Sequence, residues 1–170
     1  MCYDPAVKHT LHQGEESGAG RRADLLVALG LALAVFVLDQ GVKSIVEASM
    51  RAGESIPLVP GFLSITYVRN DGGAFGILGG SQALLLVGSA VAVGVVLWML
   101  FAGQRSRLAT VACGLILGGA AGNLLDRLAT GEVTDYVHFS FWYVFNAADA
   151  AITVGVAVLL LSTFRMKDGG

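Results

Sequence analysis

The chain has 170 residues, of which 55% are hydrophobic and 14% are charged, and its mean hydropathy is +0.69. Soluble domains carry about 25% charged residues, so this composition excludes an ordinary soluble domain and indicates burial in lipid. The formal net charge of −2, without a dense basic run, argues against nucleic acid as a partner. The two cysteines, Cys2 and Cys113, match no metal-ligand spacing and are not expected to form a disulfide.

The N-terminal segment, residues 1–22, is polar and has no apolar periodicity, which predicts a disordered tail on the cytoplasmic side. Arg21 and Arg22 then precede an apolar run, as they would in a signal peptide, but no small-residue cleavage site follows cleanly. An uncleaved membrane span is therefore predicted from about Asp24 to Glu47.

Polar residues occupy the far end of this first span. Its charge-free part, residues 25–38, is shorter than the roughly 20 residues that cross a bilayer, so the span has to include Asp39 and Lys43. These two residues are four apart and share a helical face, where they can pair. We interpret them as a structural ion pair that anchors the helix end.

Between residues 50 and 76 the chain changes to charged residues, prolines and glycines. The run FLSITYV at residues 62–68 alternates apolar and polar positions, which is typical of a strand and too short to span a membrane. A small extracytoplasmic β-sheet on the membrane surface is predicted here. Asn70 and Gly72 follow in a glycine-rich turn that permits close approach of a ligand, although a turn entering a helix would show the same pattern.

Three further spans are predicted at residues 77–103, 108–125 and 145–164, followed by a cytoplasmic tail at residues 166–170. The predicted fold is an all-α polytopic membrane protein with four transmembrane helices, which form one unit at residues 23–165. Small residues in the third span let neighbouring backbones approach closely, so this helix is expected to be central in the bundle. They are Gly114, Gly118, Gly119 and Gly122.

Lysine and arginine residues predict the orientation in the membrane. With four spans, one side holds Arg21, Arg22, Arg105, Arg107, Arg165 and Lys167, and the other holds Arg51, Arg69 and Arg127. The positive-inside rule assigns the first side to the cytoplasm. Residues 48–76 and the short connection between the third and fourth spans, residues 126–147, are therefore expected to be extracytoplasmic.

Most of the polar side chains that could carry chemistry fall between residues 118 and 149. They are Asn123, Asp126, Arg127, Asp135, Asn146 and Asp149. Such groups are costly in a membrane unless they pair or face a polar cavity, so each is a functional candidate. Asn123, Asp126 and Arg127 share one face of the third helix, where Asp126 is expected either to pair with Arg127 or to belong to a polar helix end.

Two carboxylates at a membrane boundary, without a suitable Ser or Cys nucleophile nearby, suggest aspartic chemistry. One carboxylate would deprotonate a water molecule while the other, protonated, would polarise a carbonyl group. Asp135 lies on the connection between the last two spans, and Asp149 lies one turn into the fourth. His138 is interpreted as a surface histidine, and the spacing of His138, Asp126 and Asp135 does not favour a metal site. The aromatic residues Phe139, Phe141, Trp142 and Tyr143 are interpreted as an interfacial belt or as the roof of a cleft that faces lipid.

Five short motifs occur in one order and spacing. They are Asp39-Gln40 with Lys43, Asn70-x-Gly-Gly-Ala-Phe, Gly122-Asn123-x-x-Asp126-Arg127, Val133-x-Asp135-Tyr136 and Phe145-Asn146-x-Ala148-Asp149. Over residues 24–165 the chain resembles the lipoprotein signal peptidases (signal peptidase II), which are bacterial membrane aspartyl proteases. That resemblance implies removal of the signal peptide from prolipoproteins, by cleavage on the N-terminal side of a diacylglyceryl-modified cysteine.

The same resemblance implies roles for individual residues. Asp135 and Asp149 correspond to the catalytic pair; Asn70, Asn123, Arg127 and Asn146 correspond to positions that bind substrate or the peptide antibiotic globomycin; Asp39, Lys43, Asp126 and Gly72 correspond to supporting positions. It further implies no cofactor and no metal, contact with membrane lipid, and a monomeric enzyme in the bacterial inner membrane with its active site facing the periplasm. Two other classes of protein remain as alternatives. A proton-coupled transporter or channel would distribute polar groups through the membrane depth, and a non-enzymatic assembly protein would not need convergent carboxylates.

Overall fold

The computed structural model describes residues 5–72, 82–102 and 106–167. Its helices are α1 (Pro5–Ser49), α2 (Gln82–Phe101), α3 (Arg107–Ala129) and α4 (Ala147–Lys167), and its strands are β1 (Ser55–Val59), β2 (Leu63–Asn70) and β3 (Val133–Phe139). The glycine-rich turn beyond Gly72, the first residues of the predicted second span and Arg105 lie outside the described residues.

Long apolar helices make up most of the chain. Three segments are long and apolar enough to cross a membrane, namely Gly20–Ser49, Arg107–Ala129 and Ala147–Phe164. In α2 the apolar part among the described residues, Leu86–Phe101, is shorter. The protein is therefore a multi-pass membrane protein, as its composition predicts.

The α3 helix is the centre of the bundle, since α1, α2 and α4 all pack against it. Its glycines allow this packing: a Cβ atom added at Gly118 would lie 2.5 Å from the carbonyl oxygen of Ala32 in α1. A Cβ atom at Gly114 would lie 2.8 Å from the carbonyl oxygen of Ala28. The central position that small residues predict for this helix is confirmed, because only glycine lets the two backbones approach so closely.

The N-terminal segment differs from its prediction as a disordered tail. Helix α1 begins at Pro5 and continues through residues 5–22 into the first span. Once a long helix exists, each further residue adds a hydrogen bond without a new nucleation step, and proline fits the first helical position. At the other end α4 continues to Lys167, so the predicted tail at residues 166–170 is helical at its start.

The three strands form one antiparallel sheet in the order β1-β2-β3. The strand predicted at residues 62–68 is confirmed as β2. Strand β3 lies within the predicted connection between the last two helices, where the sequence analysis predicts no strand. Its sequence VTDYVHF does contain the β-branched and aromatic residues that favour strands. Tyr67 and Tyr136 bury their rings against Val46 near the end of α1, which fixes the sheet on the helix bundle.

Candidate active site

The first turn of α4 is shaped by a reciprocal cap. Asn146 precedes the helix, and its Oδ1 accepts a hydrogen bond of 2.9 Å from the backbone N–H of Asp149. In return, Oδ2 of Asp149 accepts a hydrogen bond of 3.4 Å from the backbone N–H of Asn146. This reciprocal pair is the geometry of a capping box. Tyr136 adds its hydroxyl oxygen as acceptor for the N–H of Ala147, at 3.1 Å. The Asp149 carboxylate is therefore held in a fixed orientation at the helix N-terminus.

Asp135 lies within strand β3 and is almost fully buried. Its Oδ1 accepts a 2.7 Å hydrogen bond from Nδ2 of Asn146, and its Oδ2 accepts a 2.8 Å hydrogen bond from Nδ2 of Asn70. The direction of the Asn70 amide is set in turn by Gly72, whose N–H donates to Oδ1 of Asn70 at 2.8 Å and whose φ of +90° suits glycine. Asp135 thus lies on the connection between α3 and α4, as predicted, and strand β3 within that connection fixes its position.

Asn123 connects the two carboxylates. Its Nδ2 donates a 2.7 Å hydrogen bond to Oδ1 of Asp149. Its Oδ1 accepts hydrogen bonds from Nδ2 of Asn146 at 3.1 Å and from Nζ of Lys43 at 2.9 Å. An amide oxygen with two donors leaves the amide nitrogen directed at the carboxylate, so Lys43 indirectly orients Asn123 toward Asp149.

A buried ion cluster lies behind this network. Nζ of Lys43 lies 2.7 Å from Oδ2 of Asp39 and 2.7 Å from Oδ2 of Asp126. Oδ1 of Asp39 accepts from the N–H of Ala148 at 2.9 Å, and Nε2 of Gln40 donates to Oδ1 of Asp126 at 2.8 Å. The predicted pair of Asp39 and Lys43 is present. The alternative that paired Asp126 with Arg127 is wrong. Asp126 pairs with Lys43 instead, because the side chains of consecutive residues point to different sides of a helix.

Arg127 instead points to α2. Its Nη1 donates to Oγ of Ser89 at 3.1 Å and to the backbone oxygen of Asn123 at 3.4 Å. Ser89 was missed in the sequence analysis, where α2 was interpreted as a span without charge. The signal was a serine within an otherwise apolar helix.

One cavity of about 560 Å³ opens between these groups. Among the described residues, its polar lining consists of Asn70, Arg127, Asp135, Asp149 and Thr153, and its other lining residues include Trp142, Tyr143, Phe145, Ile152 and Val154. The aromatic residues of the connection therefore form part of its wall. His138 does not line this cavity; its Nδ1 lies 3.3 Å from Oγ1 of Thr66 and 3.4 Å from Oγ of Ser64. The cavity is thus an apolar pocket with two convergent carboxylates.

Burial raises the pKa of Asp135 to about 6. The hydrogen bond from Asn70 lowers the pKa, the charge of Asp149 raises it, and the Asn146 hydrogen bond and the Lys43 charge lower it. Loss of hydration disfavours the charged form of a carboxyl group and outweighs the donors here. Asp135 therefore keeps its proton to a higher pH than an exposed carboxyl group does.

Comparison with known proteins identifies the family. A family model described as "Signal peptidase (SPase) II" matches residues 31–165, which run from within α1 to within α4 and include the whole sheet. The chain belongs to the signal peptidase II family. The family predicted from the five sequence motifs is thereby confirmed, and a peptidase that processes prolipoproteins is supported over a transporter or an assembly protein.

Curated relatives carry the same family name. The lipoprotein signal peptidase of Halothermothrix orenii is 41% identical over 138 residues, covering 81% of this chain and 95% of that protein. The lipoprotein signal peptidase of Halalkalibacterium halodurans is 44% identical over 140 residues, covering 79% and 90%. The solved structure of a bacterial membrane enzyme, determined by the in meso method, superposes with a TM-score of 0.76 at 30% identity and covers 84% of this chain and 90% of that one.

The structure brings the candidate residues of this signal peptidase II chain into two layers. The first layer is a continuous hydrogen-bonded network at the cavity, formed by Asn70, Asp135, Asn146, Asn123 and Asp149. Arg127 lies at the wall of the same cavity. Asp39, Lys43 and Asp126 form the ion cluster behind that network, and Gly72 holds Asn70.

Proposed function

We propose that this protein is an aspartic endopeptidase that removes the signal peptide from bacterial prolipoproteins, cleaving on the N-terminal side of a diacylglyceryl-modified cysteine. The observation that carries the proposal is the placement of two carboxylates, Asp135 and Asp149, on one cavity with asparagine amides that hold each of them. Paired carboxylates in different environments are the arrangement that divides acid and base work between two like groups.

In the proposed mechanism Asp149 is the base and Asp135 is the acid. Asp149 is oriented by two N–H donors, from Asn123 and from its own helix cap, while Asp135 keeps its proton to a higher pH than an ordinary carboxyl group does. Asp149 removes a proton from a water molecule as the water oxygen attacks the scissile carbonyl carbon. Asp135 gives its proton to the carbonyl oxygen, so the tetrahedral intermediate forms without a separated charge. The intermediate then collapses: its carbon–nitrogen bond breaks, the proton held by Asp149 passes to the leaving nitrogen, and Asp135 recovers its own.

Substrate binding is assigned to the rest of the cavity. The Arg127 guanidinium and the Asn70 amide offer donors for carbonyl or lipid-ester oxygens. Trp142, Ile152 and Val154 offer apolar surface, which suits the acyl chains of the modified cysteine and of membrane lipid. The side chains that do this work belong to the chain itself, so the proposed reaction requires no cofactor or metal.

A cleavage assay tests the function. Purified protein in detergent should cleave a synthetic prolipoprotein peptide that carries a diacylglyceryl cysteine, and globomycin should inhibit the reaction. The matched control is the same peptide with an unmodified cysteine, which should be cleaved much more slowly because it lacks the acyl groups. A chelator should leave the rate unchanged. Equal cleavage of both peptides, or loss of activity in chelator, would contradict the proposal.

We also propose a topology of four spans in the bacterial inner membrane, with both termini in the cytoplasm and the cavity on the periplasmic side. The distribution of lysine and arginine supports this orientation. The exposed apolar residues at the tips of the sheet and its connection support a sheet that rests on the membrane surface. They include Ile56, Leu58, Phe62, Phe141 and Trp142.

Cysteine labelling should distinguish the two sides. In a Cys2→Ser background, Ser55→Cys in strand β1 should react with an impermeant maleimide on intact spheroplasts, and Ala102→Cys at the end of α2 should react only after lysis. Both positions are exposed, whereas the remaining native thiol, Cys113, is buried. Labelling of Ala102→Cys but not Ser55→Cys on intact cells would reverse the topology.

A further inference from the structure

Among the described side chains of helix α2, Ser89 is the polar one in the site region, and it lies on the packing face of that helix. Val93, Val96 and Leu100 of α2 pack in the apolar core between the helices. Ser89 lies four, seven and eleven residues before them, and this spacing places it on the same face of the helix. Its hydroxyl group is half-buried and accepts the 3.1 Å hydrogen bond from Nη1 of Arg127.

The carboxylates of Asp149, Asp135 and Asp126 attract the charge of Arg127, but from beyond ion-pair distance. Among the residues that the structure describes, the ion pairs involve Lys43 and Arg69, and none holds the Arg127 guanidinium. Its second contact, to the backbone oxygen of Asn123, is long at 3.4 Å. An arginine side chain has roughly 2 kcal/mol of rotamer entropy, so a hydrogen bond at one end of the guanidinium restricts where the remaining N–H groups point. Those groups lie at the wall of the cavity that also contains Asp135 and Asp149.

We propose that Ser89 is a positioning residue that orients the Arg127 guanidinium for binding of substrate oxygen atoms in the cavity. This inference rests on the proposed peptidase function, because Arg127 is the group through which Ser89 acts on the substrate. Ser89 itself is not one of the residues that line the cavity.

The competing explanation is that Ser89 is simply a small residue that allows α2 to pack closely. The two explanations give opposite results for two substitutions. Alanine is as small as serine, so Ser89→Ala would be silent under close packing, whereas it removes the acceptor for Arg127. Threonine is larger but keeps the hydroxyl, so Ser89→Thr would disturb close packing and preserve the positioning.

We expect Ser89→Ala to lower kcat/KM on the lipid-modified peptide by roughly five- to tenfold, mainly through a higher KM, which is the scale of one partly exposed hydrogen bond to a charged group. Ser89→Thr should stay within about twofold of the parent. Gly88→Ala is the matched control on the same helix, since a Cβ atom there meets nothing within 4 Å. It should also stay within about twofold.

The decisive comparison uses a double-mutant cycle with Arg127→Lys. Lysine lacks the planar fork, so Ser89 has little left to orient, and Ser89→Ala should cost less than about twofold in that background. An equal loss in both backgrounds, a silent Ser89→Ala, or a Ser89→Thr as impaired as Ser89→Ala would overturn the inference.

A measurement without substrate separates this inference from the proposed function. In 15N spectra of the detergent-solubilised protein, the guanidinium resonances of Arg127 are identified by their loss in Arg127→Lys. Slow rotation and slow proton exchange of these groups should be seen in the parent protein and in Ser89→Thr, and should be lost in Ser89→Ala. If the parent protein fails to cleave the peptide but this difference is observed, the peptidase proposal fails and the positioning of Arg127 stands. If the spectra of the parent and of Ser89→Ala are identical, the inference fails.

Discussion

Asp135→Asn and Asp149→Asn should each reduce peptide cleavage by roughly 10²- to 10⁴-fold, the range that general acid–base groups contribute. Asparagine keeps the size of aspartate but can neither accept nor deliver the proton. The two carboxyl groups act on one water molecule and one carbonyl group, so the double variant should be scarcely slower than either single variant. The measurement is kcat/KM on the lipid-modified peptide, with expression and membrane insertion checked in parallel.

Glu132→Gln is the matched control for this comparison, because its carboxylate is exposed and pairs with Arg69 on the sheet surface. It should retain full activity. Asp126→Asn should retain partial activity, since Asp126 contacts Lys43 and Gln40 behind the network. If Asp126→Asn is inactive and stably folded while Asp135→Asn remains active, the catalytic carboxylate has been wrongly assigned.

The pH dependence of the same assay follows from the raised pKa of Asp135, at about 6. The reaction needs the protonated form of this group, which predominates below that pKa, so kcat/KM should fall as the pH rises through about 6. Bound substrate removes more water from the cavity and raises this pKa further, so the alkaline limb of kcat should lie at higher pH than that of kcat/KM. Identical alkaline limbs for kcat and kcat/KM would contradict this assignment.

The stability of the folded protein should also decrease as the pH rises. The folded state holds a proton on Asp135 that the unfolded chain releases above pH 3.8, so folding stability declines between pH 3.8 and about 6.

The largest loss of stability is expected for Lys43→Met. Lys43 is 2% exposed. Its ammonium nitrogen lies 2.7 Å from an oxygen of Asp39 and 2.7 Å from an oxygen of Asp126. Removing it leaves the fully buried Asp39 carboxylate without its counter-ion, and breaking a buried pair in this way costs about 3–5 kcal/mol. Thermal unfolding in detergent should therefore show a clearly lowered Tm for Lys43→Met.

Two further variants separate charge from packing. Arg69→Met breaks a surface pair in which the two side chains are 45% and 38% exposed, so it should cost less than about 1 kcal/mol. Asp39→Asn combined with Lys43→Met restores the charge balance of the cluster and keeps an oxygen for the N–H of Ala148, so it should be more stable than Lys43→Met alone. A Tm for Lys43→Met equal to that of Arg69→Met would show that the buried cluster does not hold the helices together.

Local patterns predicted the elements whose formation depends on short stretches of chain. Charge-free apolar runs predicted the helical segments, because lipid requires that backbone groups be satisfied within one helix. The alternation in FLSITYV predicted β2, and the four-residue spacing predicted the pair of Asp39 and Lys43. The glycines of α3 predicted its central place. Each of these depends on residues within one continuous segment of the chain.

Contacts between distant segments decided the rest. Strand β3 forms because β2 offers its edge as a partner, and the VTDYVHF sequence alone did not distinguish it from a loop. Asp126 turns to Lys43, 83 positions away, and Arg127 turns to Ser89, because side chains one position apart on a helix face different neighbours. The sequence by itself determined the family, the candidate carboxylates and the apolar helices, since these depend on residue type and spacing. Only the tertiary structure decided which amide holds which carboxylate, because hydrogen-bond direction is set by partners on α1, α3, β2 and β3 that meet only after folding.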